Sequence, residues 1–400
     1  MKKNYKNNYP CIFLHGFAGF GEKDDLNKII PYWGFGFKNL LRHLRKQGIE
    51  CYNPSLGPFD GAWDRSCELY AYLFGGTVDY GKVHSREHHH ERYGRTYEHG
   101  VLEDLGKTEE HKKINLFGHS FGGPTVKQFV ELMKNGSEIE RANTDESELN
   151  PLFKGGKENL IHTVTTLSGV NNGTALANHF GKFETRILID LLFMINAMLS
   201  ETKFPKLWDF HLQKWGAMDF PENIKTNKLT NPLKGIAPAK LYNSNKIDNI
   251  AYEMHVDLVQ DEINPSQEQS DKIYYFCQRA YYSYEANEKL HLPYLGGNIV
   301  CFFPAFITGR EIPKKLSKYG VDKSWLKNDG FVNTAAQGGP FDKPQEDGEI
   351  GKTDFKPGIW YNMPIVKGDH LSWNGMSGKR KEYFKKYDDM IDLYRSLPDA

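Results

Sequence analysis

The stretch Gly118-His119-Ser120-Phe121-Gly122 places a serine between two glycines. It follows the apolar run Ile114-Asn115-Leu116-Phe117, which predicts a buried strand, and it precedes residues 125–133, whose apolar spacing predicts an amphipathic helix. A serine at such a junction takes a strained backbone conformation that lifts its hydroxyl above the edge of the sheet. Only small flanking residues let the strand and the helix pass that close to each other. The stretch therefore predicts a nucleophilic serine, Ser120.

The pattern Gly-x-Ser-x-Gly between a strand and a helix is typical of the nucleophile elbow of α/β-hydrolases. The alternative is a glycine-rich loop with a bystander serine, which the flanking strand and helix disfavour. Apolar runs predict further strands at residues 9–14, 49–52 and 163–168, and residues 37–46 predict an amphipathic helix. Alternating strands and helices indicate a mostly parallel central sheet with helices on both faces. We expect one α/β-hydrolase domain over residues 1–400.

The composition disfavours several classes of protein. Lys and Arg balance Asp and Glu at 51 each, so no overall charge favours nucleic acid or an anionic membrane. No apolar stretch reaches the roughly 20 residues that span a bilayer, and the charged N-terminus leads into no apolar signal-peptide core. Five scattered cysteines without a Cys-x-x-Cys pair disfavour a disulfide framework and a cysteine-ligated zinc. We expect no nucleic-acid partner, no transmembrane segment and no signal peptide in this chain.

Two segments depart from the alternation of strands and helices. Residues 60–100 are rich in Gly, His, Tyr and charged side chains, which predicts an insertion. Residues 175–225 contain the strongly apolar run 186–199, which is too short to span a membrane. This run fits a core helix. It equally fits a lid whose apolar face covers the active site in water and turns toward a lipid or polymer surface.

A serine nucleophile needs a base and a carboxylate, which follow it along the chain in α/β-hydrolases. Asp329 lies in the turn Asn328-Asp329-Gly330, where an acid at a strand end is expected. His370 lies in the late loop Gly368-Asp369-His370-Leu371. The pattern alone does not exclude the competing side chains, which are Asp322, Asp347, Asp354, His255 and His291.

The tetrahedral intermediate of acyl transfer needs two backbone N–H donors that are already in place. The residue after the serine normally supplies one of them, and here it is Phe121. The other normally comes from a loop after an early strand, and the stretch His15-Gly16-Phe17 offers the N–H of Phe17.

Residues 79–91 contain four histidines within seven positions. Histidine and carboxylate ligands suit zinc, and a closed tetrahedral site would be structural. The composition of this loop by itself favours a solvated histidine-rich loop instead, because the stretch contains no short zinc motif.

Seven stretches together resemble the zinc-containing lipases of Gram-positive bacteria, which include bacillary thermoalkalophilic and staphylococcal enzymes, and the related clostridial esterases that attack polyesters. They are Leu14-His15-Gly16-Phe17, Trp63-Asp64-Arg65-Ser66-Cys67-Glu68, Gly75-Gly76-Thr77-Val78-Asp79-Tyr80-Gly81, Gly94-Arg95-Thr96-Tyr97, Gly118-His119-Ser120, Asn328-Asp329-Gly330 and Asp369-His370-Leu371. They follow the family order over nearly the whole chain. The resemblance implies a zinc-binding insertion at 60–100 and a helical lid at 175–225.

The resemblance also implies roles for individual residues. Ser120 would be the nucleophile, Asp329 the acid and His370 the base. The N–H groups of Phe17 and Phe121 would bind the oxyanion. Many relatives carry glutamine where this chain has Phe121, but only the backbone of that residue donates.

Three zinc ligands follow from the same resemblance, namely Asp64, His84 and His90. The fourth ligand in relatives is an aspartate, for which we choose Asp257 here, with Glu253 as the rival. The zinc would be structural. Calcium-binding relatives carry acidic residues shortly after the histidine, whereas residues 372–377 hold no carboxylate, so we expect no calcium there.

The resemblance implies a serine carboxylic-ester hydrolase, a triacylglycerol lipase or carboxylesterase, that acts through an acyl-enzyme on lipid or other water-insoluble esters. It also implies a secreted protein. One alternative is an esterase that prefers short soluble esters or synthetic aliphatic–aromatic polyesters. Two further alternatives are a zinc-dependent hydrolase whose metal activates water and a non-catalytic surface-binding protein.

Overall fold

The computed structural model describes residues 5–34, 38–179, 182–215, 229–236 and 248–400, and for residues 182–189 the backbone alone. In chain order the described strands are β1 (Cys11–Leu14), β2 (Cys51–Tyr52), β3 (Gly76–Asp79), β4 (Tyr93–Tyr97), β5 (Ile114–His119), β6 (Ile161–Leu167), β7 (Tyr274–Gln278), β8 (Ala280–Tyr281), β9 (Ser283–Asn287), β10 (Leu290–Pro293), β11 (Gln345–Asp347), β12 (Trp360–Asn362) and β13 (Val366–Lys367). Seven of them form the central sheet in the order β11-β12-β7-β6-β5-β1-β2. Every neighbouring pair in that sheet is parallel.

The helices vary from single turns to five turns. The α-helices are Asp25–Ile29, Leu40–Arg45, Ala62–Phe74, Lys82–Glu87, Gly122–Asn135, Glu138–Asn143, Pro151–Lys154, Ala175–His179, Lys182–Leu199, Phe204–Leu207, Ile250–Glu253, Val256–Leu258, Asn264–Ser266, Ile299–Thr308 and Arg380–Ser396. Several 3-10 turns and the π-helical turn Val259–Ile263 lie between them. Within the described residues, no helix is both long enough and apolar enough to cross a bilayer.

Side chains alternate between the two faces of a strand, so a buried strand feeds two cores. In β5, Leu116 packs into a cluster with the helices Ala62–Phe74 and Gly122–Asn135. The next residue, Phe117, packs into a second cluster that includes the helix Arg380–Ser396. Both faces of the sheet are therefore covered by helices. The predicted α/β-hydrolase architecture is confirmed, and the four predicted strands lie within two residues of their expected positions.

The two predicted excursions differ in how much of them the structure describes. Residues 60–100 hold the helix Ala62–Phe74, the antiparallel pair β3–β4 and the helix Lys82–Glu87 between those strands. The apolar run predicted at 186–199 belongs to the helix Lys182–Leu199. Of the segment predicted as a lid, residues 180–181 and 216–225 lie outside the described part of the chain.

Candidate active site and metal centre

The backbone turns sharply at Ser120, directly after β5. Its φ is +57°, in the left-handed region that side chains rarely adopt. The helix Gly122–Asn135 begins two residues later. A Cβ on Gly118 would lie 2.2 Å from the carbonyl oxygen of Gly122, so the strand and the helix approach too closely for any side chain there. A Cβ on Gly16 would lie 2.6 Å from the Cβ of Ser120, which brings the loop after β1 against the serine.

The side chains of His370 and Asp329 form a buried pair. The Nδ1–H of His370 donates to Oδ2 of Asp329 at 2.9 Å, and the backbone N–H of His370 donates to the Asp329 carbonyl oxygen at 2.8 Å. The second carboxylate oxygen accepts the N–H groups of Phe331 at 3.1 Å and Val332 at 2.9 Å. Gln337 donates to Oδ2 at 3.1 Å. Because a carboxylate only accepts, the His370 proton lies on Nδ1, and Nε2 keeps its lone pair.

A chain of hydrogen bonds joins this pair to the serine turn and to the loop after β1. The N–H of Gly16 donates to the hydroxyl of Tyr32 at 2.9 Å, and that hydroxyl donates to Nδ1 of His119 at 2.7 Å. The Nε2–H of His119 donates to the carbonyl oxygen of His370 at 3.0 Å. Burial lowers the pKa of His119 to about 3, so this imidazole stays neutral and holds one fixed tautomer.

The hydrogen bond between His119 and His370 thereby places the pair of His370 and Asp329 against the residue that precedes Ser120. Sequence reasoning missed Tyr32 and His119 as connecting residues. They lie 87 positions apart, and no local pattern relates them. Of the competing acids, Asp322 accepts the N–H of Ser324 and caps a 3-10 turn instead.

Each of the two residues predicted to bind an oxyanion is next in the chain to a residue of the serine turn or of the loop that contacts it. Phe17 occupies the turn after β1, and Phe121 immediately precedes the helix Gly122–Asn135. The N-terminal end of a helix carries a partial positive charge, which favours an anion near Phe121. Among the residues that the structure describes, neither backbone N–H has a hydrogen-bond acceptor.

A second buried cluster brings together Asp64, His84, His90 and Asp248, with ligand atoms within 4.8 Å of one another. Nε2 of His84 lies 3.3 Å from Oδ1 of Asp64 and 3.4 Å from Oδ2 of Asp248. Nε2 of His90 lies 3.5 Å from the same Asp248 oxygen. Four ligands around a tetrahedral Zn²⁺ at its usual bond lengths would be about 3.3–3.4 Å apart. The cluster therefore has the dimensions of a zinc site.

Several atoms of this cluster lack partners. Within the described chain, Nε2 of both histidines and both carboxylate oxygens of Asp248 are buried without a hydrogen bond. Nδ1–H of His90 donates to the carbonyl oxygen of Glu91 at 2.8 Å, which leaves its Nε2 as a lone-pair donor. Burial opposes a charged His84, but with no cation to balance them the carboxylates of Asp248 and Asp64 raise its pKa to about 9. A bound cation would take the place of that proton on Nε2. Orphaned buried acceptors around excess negative charge fit a divalent cation.

The fourth member of the cluster is Asp248 rather than the predicted Asp257. Asn249 forms an isolated bridge with Asp60, which draws Asp248 to the start of the helix that carries Asp64. Asp257 lies elsewhere, and its carboxylate accepts a hydrogen bond from Asn178 at 3.0 Å.

The rival, Glu253, is also outside the cluster. Its carboxylate accepts the N–H of Ala62 at 3.0 Å and so caps the helix Ala62–Phe74. The pattern around residues 251–258 gave no signal for Asp248, because its place depends on a bridge to a residue far away in the sequence. The prediction that no calcium binds after His370 stays a prediction.

A profile of the family described as "Lipase-like, C-terminal domain" matches residues 7–400. The chain belongs to this family. "Lipase 1" of Staphylococcus aureus strain MRSA252 is 31% identical over 399 residues, which cover 99% of this chain and 54% of that protein. A lipase of Staphylococcus epidermidis is 31% identical over 402 residues, with 100% and 54% coverage. This lipase-like chain thus spans about half the length of the curated relatives that it matches.

Solved structures of similar proteins agree with the lipase-like fold. Staphylococcus hyicus lipase has a TM-score of 0.81 at 27% identity, covering 98% of this chain and 97% of its own. EstA from Clostridium botulinum has a TM-score of 0.82 at 31% identity, covering 100% and 90%. The resemblance to staphylococcal lipases and clostridial esterases is therefore confirmed.

In this lipase-like chain, a second group of acidic and histidine side chains lies beside the candidate metal site of Asp64, His84, His90 and Asp248. Nζ of Lys214 contacts Asp64 and lies 3.1 Å from Oδ2 of Asp60. His211 pairs with Glu68 at 2.7 Å. His211 and Glu68 of this group already bond to each other, whereas both histidines of the first cluster keep Nε2 without a hydrogen bond, so the cluster of Asp60, Glu68 and His211 fits a metal less well than the first.

Proposed function

We propose that this chain is a serine carboxylic-ester hydrolase, a lipase or carboxylesterase, with Ser120 as nucleophile, His370 as base and Asp329 as acid. The observation that carries the proposal is the buried 2.9 Å pair of His370 and Asp329 beside a serine held at φ +57°. Relatives named as lipases, and the likeness to EstA, support the ester-hydrolase class.

The proposed reaction begins when Nε2 of His370 takes the proton of Ser120. The serine oxygen then attacks the ester carbonyl carbon, and the resulting oxyanion accepts the N–H groups of Phe17 and Phe121. The imidazolium, stabilised by Asp329, returns the proton to the leaving alcohol. A water molecule, activated by the same imidazole, then hydrolyses the acyl-enzyme and releases the acid.

The neutral state of His119 supports this scheme, because a second imidazolium beside His370 would oppose the charge that develops there. Ring centroids of the two histidines are 4.8 Å apart. With a pKa of about 3, His119 carries no second ring proton, and hence no positive charge, in the working range of pH.

We propose Zn²⁺ as a structural cofactor held by Asp64, His84, His90 and Asp248. When bound, the ion would link the helix Ala62–Phe74, residues 82–90 with the two histidines, and the residues just before the helix Ile250–Glu253. Four protein ligands leave no open position for a catalytic water, which favours bracing over chemistry. A closed site of this kind disfavours a zinc-dependent hydrolase.

The substrate we propose is a lipid or another water-insoluble ester, with residues 175–225 acting as a lid over the site. By its likeness to the staphylococcal lipases, we further propose that the protein acts outside the cell. A series of esters of rising chain length, measured below and above their solubility, separates a lipase from an esterase for short soluble esters. Activity that rises sharply above the solubility limit of the ester supports the lipase. Hydrolysis of an aliphatic–aromatic polyester film tests the polyester esterase.

The decisive experiment is labelling with a fluorophosphonate, followed by mass-spectrometric mapping. We expect one adduct on Ser120, no adduct in Ser120→Ala, and no hydrolysis by that variant. An unlabelled Ser120 in active protein would contradict the proposal. Retained activity in Ser120→Ala that a chelator abolishes would support the zinc-dependent alternative. A folded chain with neither label nor activity would contradict the proposal and favour the non-catalytic binding protein.

A further inference from the structure

The helix Ile299–Thr308, with the sequence Ile-Val-Cys-Phe-Phe-Pro-Ala-Phe-Ile-Thr, is apolar on all sides. Its buried side consists of Cys301, Ala305 and Thr308. A helix that is apolar all round normally lies in a protein core or in lipid. Here it is a surface helix, which calls for a physical explanation.

The outward side of this helix exposes large hydrophobic side chains. Ile299 is 86% exposed, Phe303 66% and Val300 58%. The side chain of Phe302 is 47% exposed, and that of Leu295, in the loop just before the helix, is 86% exposed. Five of the nine residues 295–303 are thus exposed large hydrophobics, and we call these five the apolar tip. Contiguous exposed apolar surface on a soluble protein marks an interaction site or a liability to aggregate.

The apolar tip is anchored to the loops of the proposed catalytic pair. The hydroxyl of Thr308 donates to the carbonyl oxygen of Gly330, the residue after Asp329, at 3.1 Å. The N–H of Asn298 donates to Oδ2 of Asp369, the residue before His370, at 2.8 Å. Each of these bonds reaches a residue adjacent in the chain to Asp329 or His370. A lipid surface bound by the tip would therefore lie close to the loops that carry the acid and the base.

Tyrosine and basic side chains surround the tip. Tyr294 precedes it, and its ring packs against those of Tyr282 at 5.6 Å and Tyr284 at 5.3 Å. Nζ of Lys367 lies 3.7 Å from the Tyr294 ring centroid, and the Arg310 guanidinium lies 4.6 Å from the Phe306 ring. Tyrosine rings and long basic side chains around an apolar surface are typical of a lipid–water interface, where their polar ends stay hydrated.

The charge around the tip differs from that of the whole chain. Residues 279–327 contain eight Lys and Arg but four Asp and Glu, whereas the chain as a whole balances 51 against 51. Lys289, Lys318 and Lys323 pair with Glu311, Asp261 and Glu288. The positive charges close after the helix that form no salt bridge with a described residue are Arg310, Lys314 and Lys315. Such a surface complements anionic headgroups and the carboxylates of free fatty acids.

We infer that the apolar tip, which lies outside the proposed lid segment 175–225 in the sequence, is a docking surface for an anionic lipid–water interface. The apolar side chains would enter the acyl layer while Lys367, Arg310 and their neighbours meet the anionic groups. The inference rests on the proposed function, because a lipid surface is where a lipase finds its ester. Free fatty acid released by hydrolysis would itself make the interface more anionic and strengthen the docking.

The test measures binding of the full chain to vesicles in a Ser120→Ala background, so that no lipid is hydrolysed during the assay. Flotation compares vesicles of phosphatidylcholine alone with vesicles that also contain phosphatidylglycerol. We expect tighter binding to the anionic vesicles, weakened by added salt. The double variant Ile299→Ser/Phe303→Ser should reduce that binding by about tenfold or more, because two large apolar side chains no longer enter the lipid.

The matched control is Ile139→Ser, which removes an apolar side chain that is 59% exposed on the helix Glu138–Asn143. It should bind anionic vesicles like the parent. Equal binding by the double variant and the parent would overturn the inference, as would an equal loss in the control. A dimer by sedimentation velocity that the double variant alone abolishes, without vesicle binding, would assign the tip to a second copy instead.

Activity on a short soluble ester, measured with Ser120 present, separates the two proposals. The double variant should keep the parent's rate, since the tip touches no reacting atom. If the parent itself is inactive or unlabelled at Ser120, the proposed function fails while the vesicle result still decides the docking surface.

Discussion

At the scale of single residues, the site depends on how closely backbone segments approach Ser120. Gly16, Gly118 and Gly122 are required by contact, because a Cβ on each would overlap a backbone or serine atom. The requirement at Gly118 and Gly122 was predictable from the sequence, since a serine between glycines at a strand end has a local cause, whereas the approach of Gly16 to Ser120 was not. The same reasoning gave His370 and Asp329 only as candidates, because their meeting depends on loops 41 positions apart.

Replacing Gly16 by alanine should reduce kcat/KM on a short soluble ester by about a hundredfold, in the range known for a displaced oxyanion donor. The added methyl would lie 2.6 Å from the Ser120 Cβ and force the loop after β1 away from the serine. Gly320→Ala is the control, because a Cβ there meets nothing within 4 Å and only the backbone at φ +73° is strained. Unchanged kcat/KM in Gly16→Ala would contradict the placement of this loop.

Tyr32→Phe removes one hydroxyl that serves both Gly16 and His119. We expect kcat to fall by roughly tenfold while KM changes little, because the loss affects alignment of catalytic groups and not substrate contacts. The melting temperature should change by only a few degrees. A large drop in melting temperature that accompanies the loss of kcat would indicate that the hydroxyl is merely structural.

At the scale of elements, the predicted strands and the helix after Ser120 were found because their apolar spacing is a local property. Helix Gly122–Asn135 covers the predicted range 125–133, and β6 covers most of 163–168. Asp248 could not be predicted in this way. Its position is set by the bridge between Asn249 and Asp60, which joins segments almost two hundred residues apart.

The metal proposal is tested by exchanging the two aspartates that compete for the fourth place. Asp248→Asn should weaken Zn²⁺ binding by at least tenfold and lower the melting temperature of zinc-loaded protein by several degrees. Asp257→Asn should retain one zinc per chain, measured by atomic emission after dialysis. Loss of zinc in Asp257→Asn alone would restore the sequence-based choice. A wild-type chain that retains no zinc would reject the site.

At the scale of the whole molecule, the buried Lys127 makes the free energy of unfolding depend on pH between neutral and alkaline values. Lys127 is buried, donates to the carbonyl oxygen of Asn171 and to Asn264, and burial lowers its pKa to about 7. An unfolded lysine keeps its proton up to about pH 10.5. Between these values the unfolded chain binds a proton that the folded chain lacks, so this group raises the free energy of unfolding as pH rises from about 7 to about 10.5.

Lys127→Met should flatten that rise, because methionine fills a similar volume without a titrating group. Urea unfolding of the variant and the parent at several pH values measures the difference, which should be largest near pH 7 and shrink toward pH 10.5. A difference that stays constant with pH would show that Lys127 is charged in the folded protein.

The all-parallel sheet has a consequence for how the chain reaches its native state. No tight hairpin can start such a sheet, and Cys11 of β1 pairs with Asn115 of β5 across 104 positions. Closing so long a loop costs conformational entropy before the native contacts of the sheet can form, so folding is slow. Partly folded chains with exposed apolar surface therefore persist and can aggregate. We expect refolding from denaturant to take seconds or longer, with a yield that falls as concentration increases. A yield independent of concentration would argue against this.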